Sequence, residues 1–328
     1  MMRVSINDLY DAYKPLLNGI AYRMTGSLTD AEDMVQDVFA ELETMRVEHI
    51  RNMKGYLVKM VTNRCLNLLK SARRTREVYT GPWLPEPEVR DAAGTPEELA
   101  VRAETISYAL LVLLEQLSPM ERAVFILRES LDYDYRDIAE LLGKSNESCR
   151  KLHSRGKQKI NRGRIQRKKE ETAGEREAPI ALPIEDISAD STHAMQAEVL
   201  ARSFMNAALT GNFEPFVRML ADEARLYMDG GGKVRAAVFP IIGSARILAF
   251  LQGIAPKSLR SQNQLLVNVN GQPGLLLMRD GELFGILSFQ FDSHSRPVRL
   301  YMITNPDKLK PIAWNQSELS NCVTKHVP

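Results

Sequence analysis

Cysteine is almost missing from this chain. There are three in 328 residues, Cys65, Cys149 and Cys322, far apart and never in a C-x-x-C pair. That excludes a disulfide framework and a thiolate zinc site, and a reducing compartment fits. Long apolar runs are missing too: no stretch approaches the roughly 18 residues a membrane span needs. The amino terminus, MMRVSINDLYDAYK, lacks the apolar core of an export signal. The expectation is a soluble cytoplasmic protein without metal or cofactor. A dominant charge is the third absence, since 43 Lys+Arg stand against 41 Asp+Glu, a net +2. The even sum conceals an uneven distribution, and local charge carries the information. At this length two or three compact units are expected.

What is present begins as helix. From Ile6 the apolar residues Leu9, Tyr13, Leu16, Ile20 and Met24 follow steps of three and four, the spacing of a one-sided helix. Thr29, three residues before Glu32, reads as a capping box opening a second helix. Its buried stripe would be Ala31, Val35, Val38, Leu42 and Met45, leaving an acidic opposite face. In GYLVKMVTNRCLNLLKSARR, Leu57, Val61, Cys65 and Leu68 would turn inward and Asn63, Asn67, Lys70, Arg73 and Arg74 outward.

The segment TGPWLPEPEVRDAAGTP carries four prolines and two glycines, which rules out continuous helix and reads as an extended linker. Helices then return. LSPMERAVFILRESLDYDYRDIAELLGKSNESCRKLHSRGKQKI divides into Pro119 to about Arg128, Tyr135 to Leu142 closed by Gly143, and a third helix with Ser145 at its N-cap. That is helix-turn-helix spacing. On the third helix Cys149, Leu152, Gly156 and Ile160 would face inward, leaving Asn146, Glu147, Arg150, Lys151, Ser154, Arg155 and Gln158 outward. Between Lys144 and Lys169 eleven basic residues stand against one acidic one. Such density repels itself without a polyanion, so the helix is read as a nucleic-acid interface, with side chains that can reach base edges and phosphates in a major groove.

From about Ser191 the pattern changes to α+β: a helix to Leu209, helical spacing over 214–220, a short strand over 226–228, a helix over 244–251, then strand-like LLVNVN, GLLLMR, ELFGILSFQF and VRLYMIT separated by turns. An antiparallel meander is expected. The stretch DGGGKVRAAVFP resembles a phosphate-binding loop only superficially. A Walker loop needs GxxxxGK followed by Ser or Thr and a helix; here Val234 follows Lys233 and strand-like sequence continues. Asp229, Asp292 and His294 are the ionisable candidates for catalysis, but Asp292 and His294 sit in a polar turn, and no enzyme activity is expected. Phe239, Leu276, Phe284 and Phe289 would line a pocket or form core, core being preferred.

These features together resemble the extracytoplasmic-function sigma factors of bacteria. DAEDMVQDVFAEL resembles the segment by which that family docks on core RNA polymerase, which implies Asp30, Glu32, Asp33, Asp37 and Glu41 as the contact face. GYLVKMVTNRCLNLLKSARR resembles the segment that recognises and melts the minus-ten promoter element, implying Tyr56, Asn63, Asn67, Lys70, Arg73 and Arg74 as DNA contacts. Tyr56 stands where many relatives have tryptophan, and Asn67 where many have aspartate. Asn146, Glu147, Arg150, Lys151, Ser154 and Arg155 would then read the minus-thirty-five element.

WLPEP, DGGGKV and NPDKL together resemble the subgroup with a fused SnoaL-like, NTF2-like carboxy-terminal domain. The fold class implied is multidomain: two all-α sigma domains, then an α+β cone. Expected boundaries are 1–78 for region two, 79–96 for the linker, 97–168 for region four, 169–190 for a second linker, 191–315 for the cone and 316–328 for a tail. The implied partners are core RNA polymerase, promoter DNA and an intramolecular contact between the fused domain and the sigma domains; a small ligand is left open. Regulatory contacts are expected from Trp83, Leu84, Pro85, Glu86 and Pro87, from Asp229, Gly230, Gly231, Gly232 and Lys233, and from Asn305, Pro306 and Asp307, with Trp83 burying a large apolar surface. The alternative is a stand-alone helix-turn-helix regulator with a ligand-sensing or enzymatic third domain.

Overall fold

The computed structural model describes residues 6–45, 49–77, 79–91, 106–171, 191–255, 259, 264–292 and 294–312. The chain folds as two compact units, Met1–Glu77 with Leu111–Leu182 and Val78–Leu110 with Pro183–Pro328.

The first unit is helical. Helix α1 (Ile6–Thr25) buries Leu9, Leu17, Ile20 and Met24, so Leu17 rather than Leu16 points inward. Helix α2 (Leu28–Glu43) is capped by Ser27, not Thr29: its side chain accepts the Asp30 N–H at 3.1 Å. That places the start two residues before the one the capping-box pattern marked. Ala31, Val35, Val38 and Leu42 form the buried stripe as expected, but Met45, past the helix end, is exposed. Helix α3 (Met53–Glu77) buries Leu57, Val61 and Cys65 against α1 and α2.

Helix α4 (Tyr108–Leu114) is followed by α5 (Pro119–Glu129), α6 (Tyr135–Leu142) and α7 (Asn146–Glu171). A complete capping box opens α5: Glu121 N–H donates to Ser118 Oγ, and Ser118 N–H donates to the Glu121 carboxylate at 2.9 Å. Gly143 closes α6 in the left-handed region, φ 61°, and Ser145 caps α7 by accepting the Ser148 N–H. One contact was not foreseen. Arg122 on α5 is buried, and its Nη1 donates to the Met24 carbonyl on α1 and to Glu115, each at 2.7 Å. A guanidinium taken out of water in this way needs both partners.

The second unit is a seven-stranded sheet with helices on one face. Its strands are β1 (Val89–Asp91), β2 (Arg225–Asp229), β3 (Ile241–Ile242), β4 (Gln264–Val269), β5 (Gln272–Arg279), β6 (Glu282–Phe291) and β7 (Pro297–Ile303). Helices α8 (Ser191–Thr210), α9 (Glu214–Arg218) and α10 (Ser244–Ile254) cover one face, and the single turn α11 (Pro306–Leu309) follows β7. The order is β1-β4-β5-β6-β7-β2-β3. Strands β4 to β7 form the expected antiparallel meander. Three details depart from it. Strand β2 runs parallel to β7; residues 234–240 are not strand, so only Ile241–Ile242 pairs with β2; and the Pro-rich segment supplies an edge strand, β1, antiparallel to β4. Phe204, Phe213 and Phe216 pack edge to face beneath the sheet with Leu275, Leu287, Phe289 and Met302. Phe289 and Leu276 are core, whereas Phe239 is 80% exposed and lines nothing.

Candidate functional site

On α2, Glu32, Asp33, Asp37 and Glu41 are exposed and Asp30 half-buried, because the apolar stripe commits the other side of the helix. Two of these carboxylates already have a cation. Arg64, one residue after Asn63 on α3, places Nη1 3.2 Å from Asp37 and Nη2 2.5 Å from Glu41. Sequence reasoning missed Arg64, whose position on the helix gives no hint of its reach. Asn63, Asn67 and Lys70 are exposed along α3, and the Tyr56 hydroxyl lies 3.4 Å from Met45 Sδ. The side chains of Arg73 and Arg74 lie outside the described residues.

The third helix of the helix-turn-helix presents Asn146, Glu147, Arg150, Lys151, Ser154 and Arg155 to solvent, with Cys149, Gly156 and Ile160 buried. His153, unnoticed in the sequence, is buried on the same inner side. Its Nδ1 is 2.8 Å from the Tyr135 hydroxyl and its Nε2 2.7 Å from Glu129. Burial holds its pKa below the ordinary histidine value although Glu129 pulls the other way, so the ring is neutral near pH 7.

The second unit contains a buried polar cluster at the end of β2. Its centre is Asp229, whose side chain is wholly buried. Oδ1 accepts from the Tyr79 hydroxyl at 2.5 Å and the Gly231 N–H at 3.0 Å; Oδ2 accepts from the Leu84 N–H at 2.9 Å and Lys308 Nζ at 2.7 Å. Four donors thus saturate one carboxylate, which an uncompensated buried charge would otherwise make strongly unfavourable. Lys308 also donates to the Leu84 carbonyl, and its ammonium lies 4.1 Å from the Trp83 ring centroid and 5.3 Å from that of Tyr79. Burial first, and then the Asp229 carboxylate, raise the Tyr79 phenol above its usual pKa, so it stays protonated and donates.

The three sequence stretches meet here. Asn305 donates to the Tyr79 oxygen at 2.9 Å and caps α11 through the Asp307 N–H. Gly231 sits at φ 64° with Asn305 only 2.4 Å from where a Cβ would stand, so the position requires glycine for space and conformation alike. Gly230 packs on the Val234 carbonyl, Gly232 on Thr80, and Lys233 pairs with Asp307 at the surface. Leu84 is 2% exposed, Pro85 and Pro87 are buried, and Glu86 and Pro306 are half-buried. The anchor is therefore Leu84; Trp83, expected to bury most, stays half-buried as a lid over Lys308. Lys308 was missed as a site residue, since nothing in the sequence singles out a lysine that will be desolvated. Further along, Glu88 and Asn270 exchange hydrogen bonds, and the Tyr108 hydroxyl donates to the Pro85 carbonyl at 2.8 Å while its ring meets Tyr301 edge on.

The catalytic candidates are otherwise engaged. Asp292 accepts the His294 and Arg296 N–H groups and pairs with the Arg296 guanidinium, a self-contained turn. Among the described residues no group of three His, Cys, Asp or Glu could hold a metal ion, and no helix is long and apolar enough to cross a membrane.

The chain joins a helical unit that ends in a basic helix-turn-helix to a second unit built on a mixed sheet, the architecture of a DNA-binding protein with a fused α+β domain. The family models for Sigma-70 region 2 and Sigma-70, region 4 match residues 9–75 and 107–160. The chain is 32% identical over 269 residues to the ECF RNA polymerase sigma factor SigJ of Mycobacterium tuberculosis, covering 81% of this chain and 78% of that one. It is 27% identical over 314 residues to the probable ECF RNA polymerase sigma factor SigI of the same species, covering 94% and 96%. The crystal structure of SigJ superposes with a TM-score of 0.69 at 26% identity, over 93% of this chain and 98% of that one. The chain belongs to the ECF sigma factors, which direct RNA polymerase to promoters, and it carries the SnoaL-like carboxy-terminal fold.

Proposed function

We propose that the fused carboxy-terminal domain regulates this sigma factor by gripping the linker between its two promoter-contacting regions, in a cytoplasmic setting. The observation that carries the reading is the saturation of Asp229 by Tyr79 and Leu84 of the linker together with Gly231 and Lys308 of the domain. An acid with every acceptor position filled by protein donors suits a structural latch better than general acid-base catalysis, which needs the group within reach of substrate. The domain is accordingly regulatory and not enzymatic. Held linker restricts the positions the fused domain and the sigma regions can take toward one another, and this is the form in which an intramolecular contact with the sigma domains acts. Binding of core polymerase, or a signal that favours the released form, shifts the population.

In the same reading, the exposed carboxylates of α2 dock on polymerase, Tyr56, Asn63, Asn67, Lys70, Arg73 and Arg74 handle the minus-ten element, and Asn146, Glu147, Arg150, Lys151, Ser154 and Arg155 contact the minus-thirty-five element. Polar amides hold bases, and the cations hold phosphates. The test is in-vitro transcription with core polymerase, comparing the intact chain with Asp229→Asn, Trp83→Ala and a chain ending before the fused domain. The expected result is a change in promoter-specific transcript for all three. Equal output from all four proteins sinks the latch.

A further inference from the structure

Tyr135 is the first residue of α6 and has no place in the promoter contacts assigned above. Two cations nevertheless lie over its ring: the Arg128 guanidinium carbon is 5.3 Å from the ring centroid and that of Arg150 is 5.6 Å away. Both fall within the distance at which a guanidinium is attracted to an aromatic face. The ring is held from behind. Its hydroxyl meets His153 Nδ1 at 2.8 Å, and His153 is fixed in turn by Glu129, which also pairs with Lys157 at 2.9 Å. Phe125 packs on the same imidazole, with centroids 6.1 Å apart. Arg128 is tied down by the Tyr133 carbonyl at 2.9 Å. Arg150 is exposed, and its guanidinium lies over the Tyr135 ring.

We infer that Tyr135 is a positioning residue for promoter reading: its ring face sets the direction in which Arg150 leaves the recognition helix. The inference rests on the reading that Arg150 contacts the minus-thirty-five element. An unrestrained arginine loses rotamer freedom when it engages a base, whereas one laid along an aromatic face has already lost part of it. A bidentate arginine contact discriminates between bases only when the planar fork arrives in register. Tyr135 therefore acts on base preference through Arg150 without touching DNA.

The experiment uses full-length variants with core polymerase and a pool of promoter templates randomised across the minus-thirty-five element. Transcripts are sequenced to give base preference at each position. Arg150→Ala is expected to relax preference about tenfold at one or two positions, as loss of one bidentate contact does. Tyr135→Met, which keeps bulk without an aromatic face, should relax the same positions by about threefold or more, consistent with a partly exposed cation-ring contact. The double variant should look like Arg150→Ala alone. Tyr135→Phe keeps the face and should retain preference within about twofold of wild type. Circular dichroism melts report folding; if Tyr135→Met is unfolded, Tyr135→Leu takes its place beside Tyr135→Phe. Preference unchanged in the variants lacking the ring, relaxation at other positions, or Tyr135→Phe as impaired as Tyr135→Met overturns the proposal. If Arg150→Ala itself leaves base preference intact, the reading of Arg150 as a promoter contact fails, and the positioning role falls with it.

Discussion

Asp229 and Lys308 form the most consequential residue pair in the second unit. Replacing Asp229 by Asn keeps the shape but removes the carboxylate paired with the Lys308 ammonium, which is 7% exposed at its side chain. Breaking a buried pair from one side costs about 3–5 kcal/mol. Asp229→Asn is therefore expected to loosen the linker, seen as loss of amide exchange protection at Leu84, whose N–H donates to that carboxylate. Unchanged protection would show that the linker is held by packing alone. Gly231→Ala should act in the same direction, since its Cβ would strike Asn305 and displace the α11 cap. Trp83, Asp229 and Asn305 could be singled out in the sequence as belonging to short motifs, but Lys308 could not. Lysine is a surface residue by default, and only the assembled carboxylate, carbonyl and aromatic faces make its burial tolerable.

Among the elements, the helix-turn-helix was the most legible, because its signals are local: Pro119 at the first helix start, Gly143 after Leu142, Ser145 at the next cap. Periodicity also placed Cys149, Gly156 and Ile160 inward. It did not single out His153, because the partners that satisfy the ring come from α5 and α6. That burial has a pH signature. The unfolded His153 binds a proton near its ordinary value of about 6.5, while burial lowers the folded value. Above that range both states are neutral and nothing is gained; as pH falls below it, the unfolded state takes the proton first and stability is lost. Thermal melts from pH 7.5 to 5.5 should show this unit losing stability, and His153→Gln should flatten the dependence. The carboxylates held low, Glu121 and Asp134, contribute stability that is present at neutral pH and lost only in more acidic solution.

Strand β1 was illegible for the opposite reason. Prolines and glycines announce a linker, and Val89, Arg90 and Asp91 acquire a strand only because the β4 edge is there to pair with them. The same holds for the parallel β2–β7 pairing, which depends on chain crossing and not on any local pattern.

At the scale of the whole molecule, the linker is seated from Tyr79 through Asp91 by Asp229, Lys308, Asn270 and the β4 edge, and Tyr108, the first residue of α4, packs on Tyr301. Those thirteen residues, released, reach at most about 45 Å, and under the proposed latch that is the span its opening would return to the sigma regions. Tyr108→Ala is expected to alter promoter-specific transcription in the same direction as Trp83→Ala, and opposite signs would separate the two anchor points into distinct devices.

The position of Lys308 along the chain adds a temporal consequence. Domains fold in order of synthesis, amino-terminal first. The sigma regions and the linker emerge before the lysine that closes on Asp229 and the Leu84 carbonyl exists. A polypeptide still on the ribosome, or one clipped before Lys308, has its sigma regions but lacks the ammonium that completes the Asp229 cluster and holds the Leu84 carbonyl. Under the proposed latch, full restraint is therefore acquired only after the sigma regions are made, and proteolysis that removes Lys308 would weaken it while leaving them intact.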